Sequence, residues 1–388
     1  MIRDSTIREN VGIAVDGGGI RGAIVARGLI ELEQILGVKR LIDSPHLKVV
    51  AGTSTGSLIA ASIAAGFSAA EIVELYYNAG PEAFSKPGPL CPFGLNIPLI
   101  NRIPVPGGLV RGIDKIPLLG DLIVYGMFPV RYSFDPLRQR LLAELGKHPC
   151  PTGNPTLGEL GEHLRRNGQD GLTLIITAVD VTAPRTHFLK TTPDEVDYQK
   201  KIKVVDAMLA SSCIPTYFPL VRLPTGDDTT GWFVDGGVGN FGNPALVVAW
   251  ELCDELNPDP VRHYKPEDTT IFSFGTGIPS KKVNERLYGK ANRWWALDWI
   301  PRVLDLFMAS AIQQQSRNVV TTYRGIDLRR FQVELPKIVD ADDYGLLDGL
   351  LKQKGEELRE RIRLNQHALS DANGQFDPEN LQAVIPLE

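Results

Sequence analysis

Five residues, Gly52-Thr53-Ser54-Thr55-Gly56, have the form G-x-S-x-G and lie between a predicted buried strand and a predicted helix. A turn this sharp brings the residues two before and two after the serine together, and only glycine fits there comfortably. The serine is then held in a strained backbone conformation at the positive end of the following helix. This arrangement is typical of a nucleophile that attacks a carbonyl carbon.

A second glycine-rich turn, Asp16-Gly17-Gly18-Gly19-Ile20-Arg21-Gly22, also joins a predicted strand to a predicted helix. Consecutive glycines let several backbone N–H groups point at one position, which suits a phosphate or a developing oxyanion. Arg21 would either orient this loop or attract an anionic head group. The spacing also satisfies the dinucleotide motif G-x-G-x-x-G, but that function needs an acidic residue where the serine motif stands. Acyl transfer is therefore favoured.

A nucleophilic serine also needs a base. An α/β-hydrolase would place its histidine late in the chain, where His263 and His367 occur in polar segments typical of the surface. Phe233-Val234-Asp235-Gly236-Gly237 offers an aspartate at the end of a short predicted strand instead. Because Asp-Gly is also a common turn signal, the pattern alone leaves both interpretations open.

The elements that must position these residues alternate between strands and helices. Short apolar runs of the kind buried on both faces of a sheet precede both glycine turns, at Gly12–Val15 and Leu47–Ala51. This alternation predicts an α/β fold with a mostly parallel sheet covered on both sides. The patterns predict further strands at Leu172–Val179, Gly231–Val234 and Thr270–Phe274, and helices at Ile20–Leu36, Ser57–Ala65, Val204–Ser211, Trp294–Val319 and Glu356–Leu364, the last of them exposed.

Composition excludes several classes of protein. The 388 residues are 43% hydrophobic and 22% charged, as in ordinary globular proteins, and the net charge of −5 gives no uniform basic surface for nucleic acid. The four cysteines have no zinc spacing, so we expect reduced thiols, no metal and no cofactor. Because the polar N-terminus and the short apolar runs predict neither a signal peptide nor a spanning helix, we expect a cytoplasmic protein.

The motifs DGGGIRG, GTSTG and DGG, in this order, resemble the patatin-like phospholipase family, as do the segments MLASSCIPTYFP, GNPALVVAWE and FSFGTG. The resemblance covers roughly residues 10–335. It implies a three-layer α/β/α fold and a lipid acyl hydrolase, of phospholipase A or lysophospholipase type, that forms an acyl-enzyme through a Ser-Asp dyad. By position, Ser54 is the nucleophile, Asp235 the general base, and Gly17, Gly18 and Gly19 the oxyanion-hole donors. We also expect Arg21 and Thr55 to bind substrate.

Outside these motifs, residues 85–131 form an apolar insertion rich in proline and glycine, in which basic residues outnumber acidic ones. We expect either a lid or membrane-facing surface, or simple packing onto the core; the same alternatives apply to Trp294, Trp295 and Trp299. Residues 336–388 are predicted to be a helical extension and tail. The expected partner is a phospholipid or related acyl lipid, with peripheral membrane contact. A triad esterase and a catalytically idle lipid-binding protein remain alternatives.

Overall fold

The computed structural model describes residues 7–85, 130–148, 152–169, 172–191, 197–253, 263–289, 291 and 296–365. The predicted insertion, apart from its ends, lies outside these ranges, as do Trp294, Trp295, His367 and the tail. Trp299 lies in a helix, but its side chain is outside the description. In the described part of the chain, no helix is both long and apolar enough to cross a membrane.

A central sheet of eight strands has the order β5-β6-β3-β2-β1-β7-β9, with β4 also paired to β3. Five of these strands, β3, β2, β1, β7 and β9, run parallel, and β4, β5 and β6 join by antiparallel pairing. A separate pair consists of β8 and β10. The strands are β1 Asn10–Val15, β2 Leu47–Thr53, β3 Thr173–Asp180, β4 Arg185–Lys190, β5 Val221–Pro224, β6 Thr230–Asp235, β7 Thr269–Phe274, β8 Ile278–Pro279, β9 Asp327–Phe331 and β10 Glu334–Leu335.

Helices cover both faces of this sheet, which gives the predicted three-layer α/β/α fold. The described α-helices are α1 Gly22–Ile35, α2 Thr55–Ala64, α3 Ala69–Ala83, α4 Asp135–Leu145, α5 Leu157–Arg166, α6 Asp197–Lys200, α7 Val204–Ser211, α8 Ala245–Cys253, α9 Lys281–Tyr288, α10 Ala296–Thr322 and α11 Lys352–Arg363. Strand residues alternate between two cores: Ile13 and Val15 pack with α1, α2 and α7, whereas Ala14 packs with α8 and α10. This period of two is what a sheet buried on both faces requires.

Strand register brings the ends of β2 and β6 together. β4 pairs with β3 from Ile175 to Asp180, so β2 and β6 must share the opposite edge of β3. β2 runs parallel to β3 as far as Thr53, opposite Thr177, and β6 runs antiparallel so that Asp235 lies opposite Ala178. The carboxyl ends of β2 and β6 therefore meet at neighbouring positions of one strand.

The C-terminal helix α11 is less exposed than its charged sequence predicts. Leu358 and Ile362 are buried in the same core as α1. Helices α1 and α11 approach each other closely at Gly28 of α1, where an added Cβ would lie 2.7 Å from Leu358 Cδ2. The helix is exposed on one face only, because Leu358 and Ile362, four residues apart, form an apolar stripe between charged neighbours. The predicted domain boundary at residue 335 stays a prediction.

Candidate active site

Ser54 occupies the turn between β2 and α2, with φ 54° and ψ −126°. The flanking glycines are required by the crowding of this turn: a Cβ on Gly52 would lie 2.0 Å from the Gly56 carbonyl oxygen, and a Cβ on Gly56 would lie 2.2 Å from the Val15 carbonyl oxygen. The sharp strand-to-helix turn predicted from GTSTG is thus present. A non-glycine residue at this φ is uncommon and strained, so its surroundings must hold it.

Several hydrogen bonds hold this turn. The Ser54 N–H donates to Ser211 Oγ at 2.8 Å, and the Ser57 hydroxyl donates to the Ser54 carbonyl at 2.6 Å. The preceding Thr53 hydroxyl donates to the Phe241 carbonyl and is also bonded to the Thr177 hydroxyl, at 2.7 Å. Ser54 itself is only 3% exposed, so its hydroxyl lies in a largely water-free environment.

Asp235 ends β6 and is 1% exposed. Its N–H donates to the Cys213 carbonyl at 3.1 Å, and its Oδ1 accepts from the Gly237 N–H at 2.8 Å. Burial raises the pKa of Asp235 from 3.8 to about 6, although the neighbouring Ser54 hydroxyl and the Gly237 N–H lower it. Oδ2 makes no hydrogen bond of ordinary geometry with any described residue. Ser54 and Asp235 are therefore neighbours without a well-aligned bond, as is common before substrate binds.

The glycine loop that follows β1 lies against Ser54, since a Cβ on Gly17 would be 3.1 Å from Ser54 Cβ. The Gly17 N–H donates to the Gly242 carbonyl at 2.9 Å, so it is not free to bind an oxyanion, contrary to its predicted role. Gly17 instead allows the close approach to Ser54. Neither the Gly18 nor the Gly19 N–H donates to another described residue, which leaves these two amides as candidate donors.

The side chains of Arg21 and Thr55, both predicted to bind substrate, make hydrogen bonds within the protein. Arg21 donates from Nε to the Gly18 carbonyl at 3.0 Å and from Nη1 to the Gly277 carbonyl at 3.2 Å, so it braces the glycine loop. The Thr55 hydroxyl is bonded to the Tyr76 hydroxyl, and Thr55 is 5% exposed. Loop bracing is thus the function of Arg21 that its contacts support, and substrate binding by either residue stays a prediction.

A buried ion pair behind the glycine loop joins Asp16, the first residue of the DGGGIRG motif, to Arg330, which lies outside the quoted motifs. Arg330 on β9 donates to both carboxylate oxygens of Asp16, the residue before Gly17, and also to Ser273 Oγ at 2.9 Å. The Ser273 hydroxyl donates in turn to Asn243 Oδ1 at 3.2 Å. Burial raises the pKa of Asp16, and Arg330 partly offsets this effect. No sequence pattern predicted this role for Asp16, although it stands at the end of a predicted strand.

Among the described residues, no contact at the Asp235 carboxylate supports a histidine base. His263 is exposed, and His367 is outside the described residues. Among the described groups that shift the pKa of Asp235, none is a histidine. Within the same ranges, no group of three or more His, Cys, Asp or Glu side chains could hold a metal ion.

With Asp235 as the general base that the sequence predicts, its raised pKa predicts an acid limit on activity. A general base works only when ionised, and below a pKa of about 6 the ionised fraction falls about tenfold per pH unit. We expect kcat/KM for a soluble ester to rise with pH through about 6 and then level off. Rates measured from about pH 4.5 to about pH 8 test this. A flat profile, or an inflection that moves when His263 is replaced, would contradict it.

Comparison with known proteins gives the family. The family model described as "Patatin-like phospholipase" matches residues 13–249, more than half of the chain. "Patatin-like protein 1" of Arabidopsis thaliana is 26% identical over 85% of this chain and 73% of its own length. A "cGAMP-activated phospholipase" of Pseudomonas aeruginosa is 29% identical over 63% of this chain and 57% of its own length. The crystal structure of VipD from Legionella pneumophila matches with a TM-score of 0.40 and 13% identity, over 97% of this chain and 74% of that one. The chain belongs to the patatin-like phospholipase family.

Proposed function

We propose that this protein is a lipid acyl hydrolase of phospholipase A or lysophospholipase type, with Ser54 as nucleophile and Asp235 as general base. The observation that carries the proposal is the meeting of β2 and β6 on one edge of β3, which sets a buried serine beside a buried carboxyl. The amides of Gly18 and Gly19, which donate to no other described residue, would supply donors for an oxyanion.

Acylation would begin with attack by Ser54 Oγ on the ester carbonyl carbon, while Asp235 Oδ2 takes the hydroxyl proton. The carbonyl oxygen becomes an oxyanion facing the Gly18 and Gly19 N–H groups. Collapse of this intermediate breaks the ester C–O bond, and the leaving alcohol, a lysolipid or glycerol derivative, takes the proton from Asp235. The acyl group is then esterified to Ser54.

Deacylation repeats the steps with water as the nucleophile. Asp235 takes a proton from water as the water oxygen attacks the acyl-Ser54 carbonyl carbon. Asp235 then returns that proton to Ser54 Oγ as the fatty acid leaves. Burial assists both halves, because a pKa of about 6 makes Asp235 a stronger base than an exposed aspartate while it stays ionised at neutral pH. Each oxyanion donor would lower the barrier by roughly 3–4 kcal/mol.

We further propose a phospholipid or related acyl lipid as substrate, reached by peripheral contact with a membrane surface from the cytoplasmic side. The name of one relative, the cGAMP-activated phospholipase of Pseudomonas aeruginosa, supports this class of substrate. No cofactor enters the scheme, and we expect turnover without added calcium.

The decisive experiment incubates the purified chain with vesicles of mixed phospholipids and identifies the products by mass spectrometry. Free fatty acid and lysolipid are expected from wild type, together with labelling of Ser54 by a fluorophosphonate probe. Ser54→Ala should be folded, unlabelled and inactive. Vesicle binding without product or labelling would instead indicate a lipid-binding protein. Loss of activity on replacing His263 and His367 together would indicate a triad esterase.

A further inference from the structure

The backbone of the proposed nucleophile is held from outside its own turn. The Ser54 N–H is buried, and it donates to Ser211 Oγ at 2.8 Å. A buried N–H without a partner is costly, and the left-handed φ of Ser54 is itself strained, so an acceptor at this point stabilises an otherwise unfavourable geometry. Ser211 is fully buried and cannot exchange this bond for one with solvent.

Ser211 stands at the start of a short segment that also contacts the second proposed catalytic residue. It is the last residue of α7, and two positions later the Cys213 carbonyl accepts the Asp235 N–H at 3.1 Å. Cys213 is itself held in place, because its thiol donates to the Pro219 carbonyl at 2.9 Å. Ser211 Oγ therefore binds the main chain of Ser54, and the Cys213 carbonyl binds the main chain of Asp235.

The helix that carries this segment is firmly placed. α7 packs against β3, β5 and β6 through side chains that are almost fully inaccessible, such as Val205, Met208 and Leu209. Close-packed helices and strands move little relative to one another, so Ser211 Oγ and the Cys213 carbonyl are fixed points. Their separation sets the separation of the two main chains that they hold.

We propose that Ser211 is a positioning residue that holds the Ser54 turn at the distance from Asp235 required for proton transfer. This inference rests on the proposed function, since it concerns the same nucleophile and base. Ser211 does not touch substrate and exchanges no proton with Ser54 Oγ; it acts through the Ser54 main chain. Misplacement of a catalytic group by about 1 Å can lower a rate by roughly 10²-fold, which is the size of effect expected from removing the Ser211 hydroxyl.

The test compares Ser211→Ala with Ser212→Ala, which removes a neighbouring hydroxyl. Ser212 Oγ is buried but has no partner among the described side chains and main chain, so its loss breaks no bond to the site. On phospholipid vesicles, Ser211→Ala should lower kcat by roughly 10²-fold with KM unchanged, and Ser212→Ala should keep the wild-type kcat. Ser211→Thr retains an acceptor hydroxyl and should restore most of kcat.

Thermal unfolding and the rate of fluorophosphonate labelling, both per folded molecule, separate positioning from simple destabilisation. Slow labelling of a folded Ser211→Ala protein supports the proposal. Wild-type kcat in Ser211→Ala, an equal loss in Ser212→Ala, or a loss fully explained by the unfolded fraction overturns it. If Ser211→Ala does not fold, Ser211→Cys, which is close in size but a weak acceptor, replaces it with the same criteria. A fully active Ser54→Ala would refute the proposed function itself, an outcome distinct from any of these.

Discussion

Asp235→Asn is expected to lower kcat for ester hydrolysis by about 10²–10⁴-fold, the usual contribution of a general base. Asparagine has nearly the same shape and can still accept the Gly237 N–H through its oxygen, but it cannot take the proton of Ser54. The measurement is steady-state turnover on a soluble ester and on vesicles. Turnover close to that of wild type would remove Asp235 from the mechanism.

The same substitution should make the folded protein more stable at neutral pH. The pKa of Asp235 is raised by folding, from 3.8 to about 6, so this carboxyl contributes stability that is present below about 4 and is lost as the pH rises through 6. Asparagine avoids this loss, worth about 3 kcal/mol above pH 7. Urea unfolding should show an advantage for Asp235→Asn that grows between about pH 4.5 and pH 7. The exposed Asp227, replaced by asparagine, is the matched control.

Arg330→Met should be the most destabilising single change near the site, by about 3–5 kcal/mol, because it leaves Asp16 buried without its cation. Without Arg330 the pKa of Asp16 rises further, so the loss of stability should be smaller at low pH, where Asp16 can be protonated. The double variant Arg330→Met with Asp16→Asn should recover much of this loss, since no buried charge remains.

Urea unfolding of the two single variants and the double variant measures these effects at about pH 5 and about pH 7.5. Arg361→Met is the control, because Arg361 makes a half-exposed pair with Glu357 on α11, and its loss should cost less than about 0.5 kcal/mol. A pH-independent loss in Arg330→Met, or a double variant no more stable than the single one, would contradict the charge argument.

Local sequence patterns predicted much of the framework. The helix Val204–Ser211 has the predicted bounds, and the strand before Ser54 and the helix after it are both present. These elements have strong short-range signals: apolar runs, glycine pairs and helical spacing. The likeness of three motifs to one family predicted the α/β/α fold, because motif order carries information about the whole chain.

Contacts between distant segments were not predictable in this way. The Gly17 N–H donates to the Gly242 carbonyl, and no sequence pattern near residue 17 predicts where that carbonyl lies. Arg330 lies in a short strand, where nothing distinguishes it from a surface arginine until Asp16 is found opposite. Likewise, the antiparallel direction of β6 follows from tertiary pairing and not from its six residues.

Because β2 and β6 both pair with β3, the spacing between Ser54 and Asp235 does not depend on the length of the connecting loops. Both strand ends are fixed by main-chain pairing to Thr177 and Ala178, so chain inserted or deleted elsewhere leaves their separation unchanged. Under the proposed function, the connecting segments could therefore vary with substrate preference while Ser54 and Asp235 keep their spacing. In effect, the register of β3 sets the distance between Ser54 and Asp235.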